Sequence, residues 1–310
     1  MIKEVVSVEL PVDERVVIAK NRLEPEKKTG SEKRICVITG IHGDELEGQY
    51  VCWKLNRIIQ ASPQFLTGIV DIYPAMNPLG IDTIQRGIPL FDLDMNRIFP
   101  GNDTGAVPEI IAQELMEDLK GADMALDIHA SNIFLREIPQ VRINEITAEK
   151  LVPLAKYVGV DFVWVHQAVT VLESTIAYSL NSIGVPTLVV EAGIGMRLTV
   201  EFGDRLVNGI LNLMRHLGIW QGPVGPVTEP LVSQDGHVGF VNAEAGGIFI
   251  PCVPHWSDVE KGQKIGDVVS PLTGDILWEA DSPVKGRIFT LREYPVVNVG
   301  SLIARIVEVK

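Results

Sequence analysis

Up to about residue 220, short apolar bursts alternate with amphipathic stretches. The bursts RICVITGI (34–41), GIVDIYPAMN (68–77), ADMALDIHA (122–130), DFVWVH (161–166) and PTLVVEAG (186–193) are rich in β-branched residues and often apolar on both faces. Strands buried in a mostly parallel sheet read this way. Between them, apolar residues recur at helical spacing over 45–60, 108–120, 147–158, 172–183 and 199–217, and Pro108 with Glu109 opens the second of these. Strands alternating with helices predict an α/β domain with helices on both faces of a sheet. A short β segment over residues 1–30 precedes it.

The stretch GIWQGPVGPVTEP (218–230) breaks both periods, with four glycines or prolines among the five residues Gly222 to Pro226. It reads as a linker and divides the chain into domains 1–220 and 221–310. Beyond it the helical period disappears, and short strands with turn signals predict a smaller all-β domain. That tail contains a repeat. Residues 246–269 and 285–307 each carry G-x-I-F (Gly246, Ile248, Phe249; Gly286, Ile288, Phe289) and then V-x-x-G-x-x-I (Val259, Gly262, Ile265; Val297, Gly300, Ile303). The template resembles the half-motifs of biotinyl- and lipoyl-type barrel-sandwich domains, in which two strand-turn units pair about a pseudo-dyad. A carrier domain of that kind needs an exposed lysine at its hairpin tip, and the intervening SPLTGDILWEADSP (270–283) has none. A structural accessory domain is the expectation.

At 310 residues the chain exceeds the usual single-domain size, consistent with two domains. Hydrophobic residues at 46% and charged residues at 22% are enough to bury a large core. The net charge of -13 argues against nucleic acid or an acidic membrane surface as partner. A small anionic ligand stays possible, provided that its pocket supplies local basic residues. The start of the chain has no apolar core of signal-peptide length, and no run approaches a membrane span. Cys36, Cys52 and Cys252 are scattered and read as buried thiols of a reducing compartment. The cytoplasm is the expected location, and a homo-oligomer is compatible with all of this.

Open α/β sheets place their sites at the carboxyl edge. In TGIHGDELEG (39–48), His42 follows the first strong strand, Gly43 permits a tight turn, Asp44 is a candidate helix cap, and Glu45 falls in the first helical turn. From there an imidazole and a carboxylate three residues apart can converge on one metal ion. A catalytic zinc site wants a third protein ligand. His129, closing the strand in ALDIHASN (125–132), is the strongest candidate, with Asp127 behind it on the same strand face; His166, also at a strand end, is the rival. His216, His237 and His255 are poorer candidates. The segment 77–101 has no clear period and carries Arg86, Asn96 and Arg97 in an acidic protein. Arg97 beside Asn96 suits a carboxylate, with a planar fork plus an amide donor; the bland alternative pairs Arg97 with Asp92 or Asp94. Glu191, in VVEAGIG (189–195), emerges at a strand end into a site, where a carboxylate near a metal-activated water is a natural general base. Its alternative role is partner to a buried arginine.

The order H-G-D-E, then N-P…R…D-x-N-R-x-F-P-G, then D-I-H, then V-E-A-G resembles the succinylglutamate desuccinylase/aspartoacylase family of the wider zinc-carboxypeptidase clan, over roughly residues 35 to 215. The resemblance implies a zinc-carboxypeptidase-like mixed sheet flanked by helices. It implies one Zn2+ per chain on His42, Glu45 and His129, with Glu191 as base and proton shuttle. Arg86 would then stabilise the oxyanion of the scissile carbonyl, and Asn96 and Arg97 would hold a substrate carboxylate. Asp94 matches a supporting aspartate that orients a ligand histidine, and Tyr178 falls about where members often carry a substrate-contacting tyrosine.

The implied activity is a zinc-dependent amidohydrolase acting on an N-acyl amino acid or related small N-acyl compound, with manganese or cobalt as other ions for such a ligand set. A metallocarboxypeptidase for short peptides and a catalytically silent zinc-fold binding protein are the alternatives. A tail folded over the cleft would favour small substrates, and an open groove would favour peptides. Members that act on dicarboxylates carry extra positive charge ahead of the catalytic glutamate, whereas no Lys or Arg lies between Tyr157 and Met196 here. A monocarboxylate or neutral N-acyl compound is therefore at least as expected, unless Arg136, Arg142 or Arg197 substitutes from another loop.

Overall fold

Four parallel strands at the centre of a large sheet carry the architecture. A computed structural model of the chain describes residues 1–166, 173–233 and 237–309. In chain order these hold β1 (Ile2–Glu9), β2 (Arg15–Leu23), β3 (Arg34–Thr39), α1 (Glu47–Ala61), β4 (Ile69–Tyr73), α2 (Pro78–Thr83) and α3 (Val107–Leu119). Next come β5 (Met124–His129), β6 (Leu135–Asn144), α4 (Ala148–Ala155), β7 (Phe162–His166), α5 (Ile176–Ser182), β8 (Thr187–Gly193) and α6 (Val200–Leu217). The tail contains β9 (Leu231–Ser233), β10 (Val238–Asn242), β11 (Gly247–Pro251), β12 (Asp258–Val259), β13 (Lys264–Val269), β14 (Ile276–Asp281), β15 (Gly286–Arg292), β16 (Val296–Val297) and β17 (Leu302–Glu308). The 13-stranded sheet runs β1-β2-β4-β3-β5-β8-β6-β15-β17-β10, and β4, β3, β5 and β8 are mutually parallel. Their carboxyl ends coincide, as the α/β reading requires. No helix among the described residues is long and apolar enough to cross a membrane.

At β3 both faces are apolar. Ile35 and Val37 enter a core with α1 and α6, while Cys36 and Ile38 enter a second core with α3 and the β1–β2 hairpin. Further along the sheet this changes. Leu126, Ile128, Val190, Ala192, Val141, Val163 and Val165 stay in the first core. Their alternate neighbours Asp127, His129, Glu191, Arg142, Trp164 and His166 line a cavity on the other face. The expectation of strands apolar on both faces is thus corrected for β5, β7 and β8, because one of their faces is the floor of a site.

Other boundaries also differ. α1 begins at Glu47, so Glu45 lies before the helix, and Asp44 is not its cap: no side chain caps α1. The Asp44 carbonyl instead accepts the Met196 N–H at 2.7 Å, which ties the segment to the loop after Glu191. Gly43 serves close approach rather than a left-handed turn, since an added Cβ would lie 1.9 Å from the Gly80 carbonyl carbon. The aperiodic 77–101 segment opens on the short α2, whose N-cap Asn77 accepts the Gly80 N–H. β6 escaped prediction because Pro139 interrupts it. The proline sits at a bulge between Glu137 and Gln140, where a sheet tolerates it. α5 begins at Ile176, and residue 172 of its predicted span lies outside the described residues. Burial pushes the Cys36 and Cys52 thiols up to about 12, but Cys252 is exposed beyond the end of β11, contrary to expectation.

The β1–β2 hairpin is fastened by charge. Asp71 of β4 is fully buried and accepts from Arg22 Nε (2.8 Å) and Lys20 Nζ (3.2 Å), and Lys20 also donates to Asp118 (2.6 Å) and Tyr73. Removing the acid leaves Arg22 without its carboxylate and Lys20 with Asp118 alone as counter-ion. Asp71→Ala is expected to cost about 3–5 kcal/mol, read as a lowered midpoint of urea unfolding; an unchanged midpoint would show that the network contributes nothing.

In the tail the two repeat copies exchange strands. The short β12 of the first copy pairs with β15 of the second, and the short β16 of the second pairs with β11 of the first. Gly262 and Gly300 sit at equivalent turns with φ of 78° and 84°. β11, β13, β14 and β16 form a separate antiparallel sheet, whereas β15 joins the main sheet through β6. The equivalent phenylalanines part company: Phe249 fills the tail's own core, and Phe289 packs on Phe162 of β7, with ring centroids 4.8 Å apart. The linker is not a free tether. Trp220 is buried, and Asn208 of α6 brackets the strap by accepting the Gly225 N–H and donating to the Pro226 carbonyl.

Candidate active site

The carboxyl ends of β3, β5 and β8 bring three distant segments together. His42 and Glu45 leave the loop after β3, His129 ends β5, and Glu191 stands beside His129 in the parallel β5–β8 register. One ligand atom each from His42, Glu45 and His129 can be chosen so that all lie within 4.8 Å of one another, and all three residues are buried. Glu45 is the hub. Oε1 lies 2.8 Å from His42 Nδ1, and Oε2 lies 2.9 Å from His129 Nδ1 and accepts the Ala130 N–H. Each imidazole turns its other nitrogen to an aspartate. His42 Nε2 is 3.1 Å from Asp94 Oδ1, and His129 Nε2 is 3.0 Å from Asp127 Oδ2, close enough for an ion pair but not aligned as a hydrogen bond. Arg86 donates to Glu45 Oε1 at 2.9 Å and approaches Asp94 at 3.4 Å.

These contacts test whether a cation fits. Glu45, Asp94 and Asp127 carry three negative charges around two imidazoles, and Arg86 returns one positive charge. With neutral imidazoles the remaining deficit of two is expensive in a buried place, and either two ring protons or one divalent cation offsets it. It shows in the titration of the side chains. Burial alone would lower His42 and His129, but Glu45, with Asp94 for the first and Asp127 for the second, outweighs it and raises both. Burial would raise Glu45, and the two histidines hold it well below the carboxylate range instead. If each Nε2–H faces its aspartate, both Nδ1 lone pairs point at Glu45, an arrangement that needs a cation between them. A divalent ion with N, N and O donors meets charge and chemistry alike.

The remaining predicted residues gather in one cavity of about 990 Å³ with His42, Glu45 and His129. Arg86, Asn96, Arg97, Asp127, Tyr178 and Glu191 line it. Asn96 is buried, and its Oδ1 accepts the Ile176 N–H (3.0 Å), which fixes the amide so that its NH2 is left to donate. Arg97 pairs with neither Asp92 nor Asp94 among the described residues; it donates to the Asn96 carbonyl at 2.7 Å. Glu191 is pushed upward by burial and drawn back by Arg142 and His129. His166 lies in the same cavity but outside the three-residue group. Burial, Arg142 and Arg305 push it down to about 4, so it is neutral at physiological pH.

Sequence reasoning missed the far wall. Of the three arginines named as substitutes, Arg142 enters the cavity, while Arg136 faces Glu293 (3.7 Å) and Arg197 bonds the Met196 carbonyl. Glu137, Trp164, Phe240 and Arg305 also line it, the last two from tail strands β10 and β17. Pairing across 168 residues, as between Glu137 and Arg305, leaves no local signal.

Residues 31–217 match the model of the succinylglutamate desuccinylase/aspartoacylase catalytic domain. The N-alpha-acetyl-L-2,4-diaminobutyric acid deacetylase of Halomonas elongata is 28% identical over 295 residues, 91% of this chain and 84% of that protein. Among solved structures, the product-bound ectoine utilization protein EutE (DoeB) from Ruegeria pomeroyi matches with a TM-score of 0.82 at 22% identity, covering 95% of this chain and 90% of that one. A succinylglutamate desuccinylase/aspartoacylase from Rhodobacter sphaeroides matches with a TM-score of 0.79 at 23% identity, covering 94% and 89%. At such identities the structures share the fold.

Proposed function

Because this chain belongs to the succinylglutamate desuccinylase/aspartoacylase family, we propose that it is a zinc-dependent deacylase that hydrolyses the amide bond of a small N-acyl amino acid, giving a carboxylate and a free amine. The observation that carries this reading is the convergence of His42, Glu45 and His129 within 4.8 Å, beside Glu191 in strand register. His42, Glu45 and His129 hold one Zn2+ per chain, and Asp94 and Asp127 orient the two imidazoles. A bound zinc ion supplies Lewis acidity, which lowers the pKa of water and polarises a carbonyl. Glu191 takes the proton from the attacking water at its carboxylate and returns it to the leaving amine. Arg86 exchanges Glu45 for the carbonyl oxygen as negative charge develops there. The Asn96 amide and the Arg97 fork hold the substrate carboxylate, and Tyr178 contacts the substrate from α5.

A small substrate is favoured over a peptide because Phe240 and Arg305 of the tail wall the cavity. Metal analysis joined to a panel of N-acetyl and N-succinyl amino acids tests the reading. One zinc per chain and turnover of at least one compound are expected; stoichiometric zinc without turnover of any amide sinks it.

Proton competition gives a second test. In the metal-free protein Glu45, with Asp94 beside His42 and Asp127 beside His129, raises both histidines above the usual imidazole range, so a cation competes with protons for their ring nitrogens. Zinc affinity is expected to rise with pH through neutrality and to release protons, measured as calorimetric heats that depend on the buffer's ionisation enthalpy. Heats independent of buffer would contradict the ligand assignment.

A further inference from the structure

The carboxylate of Glu191 is held from one side. Its Oε1 lies 3.0 Å from Arg142 Nη1. The same guanidinium donates from Nη2 to Glu137 Oε1 (3.1 Å), and that oxygen also accepts from Arg305 Nη1 (2.9 Å). The other Glu137 oxygen accepts from Gln140 Nε2 (2.7 Å) and Thr290 Oγ1 (2.5 Å). Glu137 is 1% exposed and has four donors, two of them cationic, so it is a fixed anchor. The bulge at Pro139 makes this possible, because residues three apart on a regular strand face opposite ways. Arg142 and Arg305 each lie 5.8 Å from the Trp164 ring, which limits their swing.

Glu137 keeps Arg305, Thr290 and Gln140 whether or not Arg142 is present, so its burial does not require the Arg142 contact. What the Arg142 fork adds is a rigid link from that anchor to Glu191. Thr290 and Arg305 belong to β15 and β17, so the link is completed by the tail. We propose that Arg142 is the positioning residue for the Glu191 carboxylate, and that the C-terminal strands act on catalysis by fixing Arg142 through Glu137. This rests on Glu191 being the base, as proposed above.

The test uses full-length, zinc-loaded protein and the N-acyl amino acid that the wild type hydrolyses fastest, with zinc content measured for each variant. Arg142→Met is expected to lower kcat about 100-fold, with KM within about threefold of wild type and zinc still bound. Arg142→Lys recovers about tenfold of that loss, because one cationic donor remains. Arg305→Met, which leaves the Arg142–Glu137 contact standing, lowers kcat about fivefold to tenfold at unchanged KM. It decides the matter should Arg142→Met fail to fold. A raised KM at unchanged kcat in the Arg142 variants makes Arg142 a substrate-binding group and overturns the proposal. So does full kcat in the Arg305 variant. If Glu191→Gln retains activity, the base assignment itself has failed; if Glu191→Gln is dead while the arginine variants keep their kcat, the positioning role alone is lost.

Discussion

Glu191→Gln is expected to lower kcat/KM by about 10²–10⁴-fold, the range lost when a positioned general base is removed. The glutamine has the same shape and can still accept from Arg142 Nη1 through its carbonyl oxygen, but it cannot hold a proton taken from water. Glu191 is not among the three residues that converge as ligands, so the variant should still carry one zinc per chain, and KM should change little. That combination separates a lost proton acceptor from a damaged metal site. Activity within about tenfold of wild type would be too small a loss for a base and would return Glu191 to the lesser role of partner to a buried arginine.

His129→Ala is the second large effect, and it works through the metal. A catalytic zinc site requires three protein ligands, and this change leaves His42 and Glu45. It also leaves Asp127, which is 1% exposed, facing an empty space. Zinc affinity is expected to fall by more than about 100-fold, beyond the cost of losing a supporting partner, and turnover to vanish with it. Stability reports the same event independently of activity. A ligand at about 1,000 times its dissociation constant adds about 4 kcal/mol to the folded state. Zinc should therefore raise the melting temperature of the wild type and leave that of the variant where it was. A His129→Ala protein that keeps one zinc per chain would place the ion on other residues.

The convergence of His42, Glu45 and His129 beside Glu191 was legible because each of its parts is local. His42 and Glu45 sit three residues apart between glycines, His129 ends an apolar run, and Glu191 precedes Ala192 and Gly193. Strand ends that coincide in a parallel sheet bring such signals together without further information. The opposite wall was hidden for two reasons. Pro139 made β6 read as broken, and two of the four partners of Glu137, Thr290 and Arg305, lie on strands more than 150 residues away. The alternation of core and cavity positions along β5, β8 and β7 was present in the sequence, as LDIH, VVEAG and VWVH. It reads as continuous hydrophobicity because Val189 and Trp164 occupy cavity positions. Helix starts failed for a chemical reason: Asp44 and Glu45 look like ordinary first-turn acids, yet one engages the Met196 amide through its carbonyl and the other is committed to two imidazoles and Arg86.

The traded strands of the tail have a bearing on how the enzyme can be dismantled. Since β12 completes its ladder on β15 and β16 on β11, neither copy owns a finished set of backbone bonds, and a half-built tail has nothing to rest on. A protease that clipped the hairpin between them would not yield two smaller modules. Phe289, wedged against Phe162, ties the same event to the catalytic half. Losing the tail's integrity therefore removes Phe240 and Arg305 from the cavity wall in one step, so the roof over the substrate is either whole or gone.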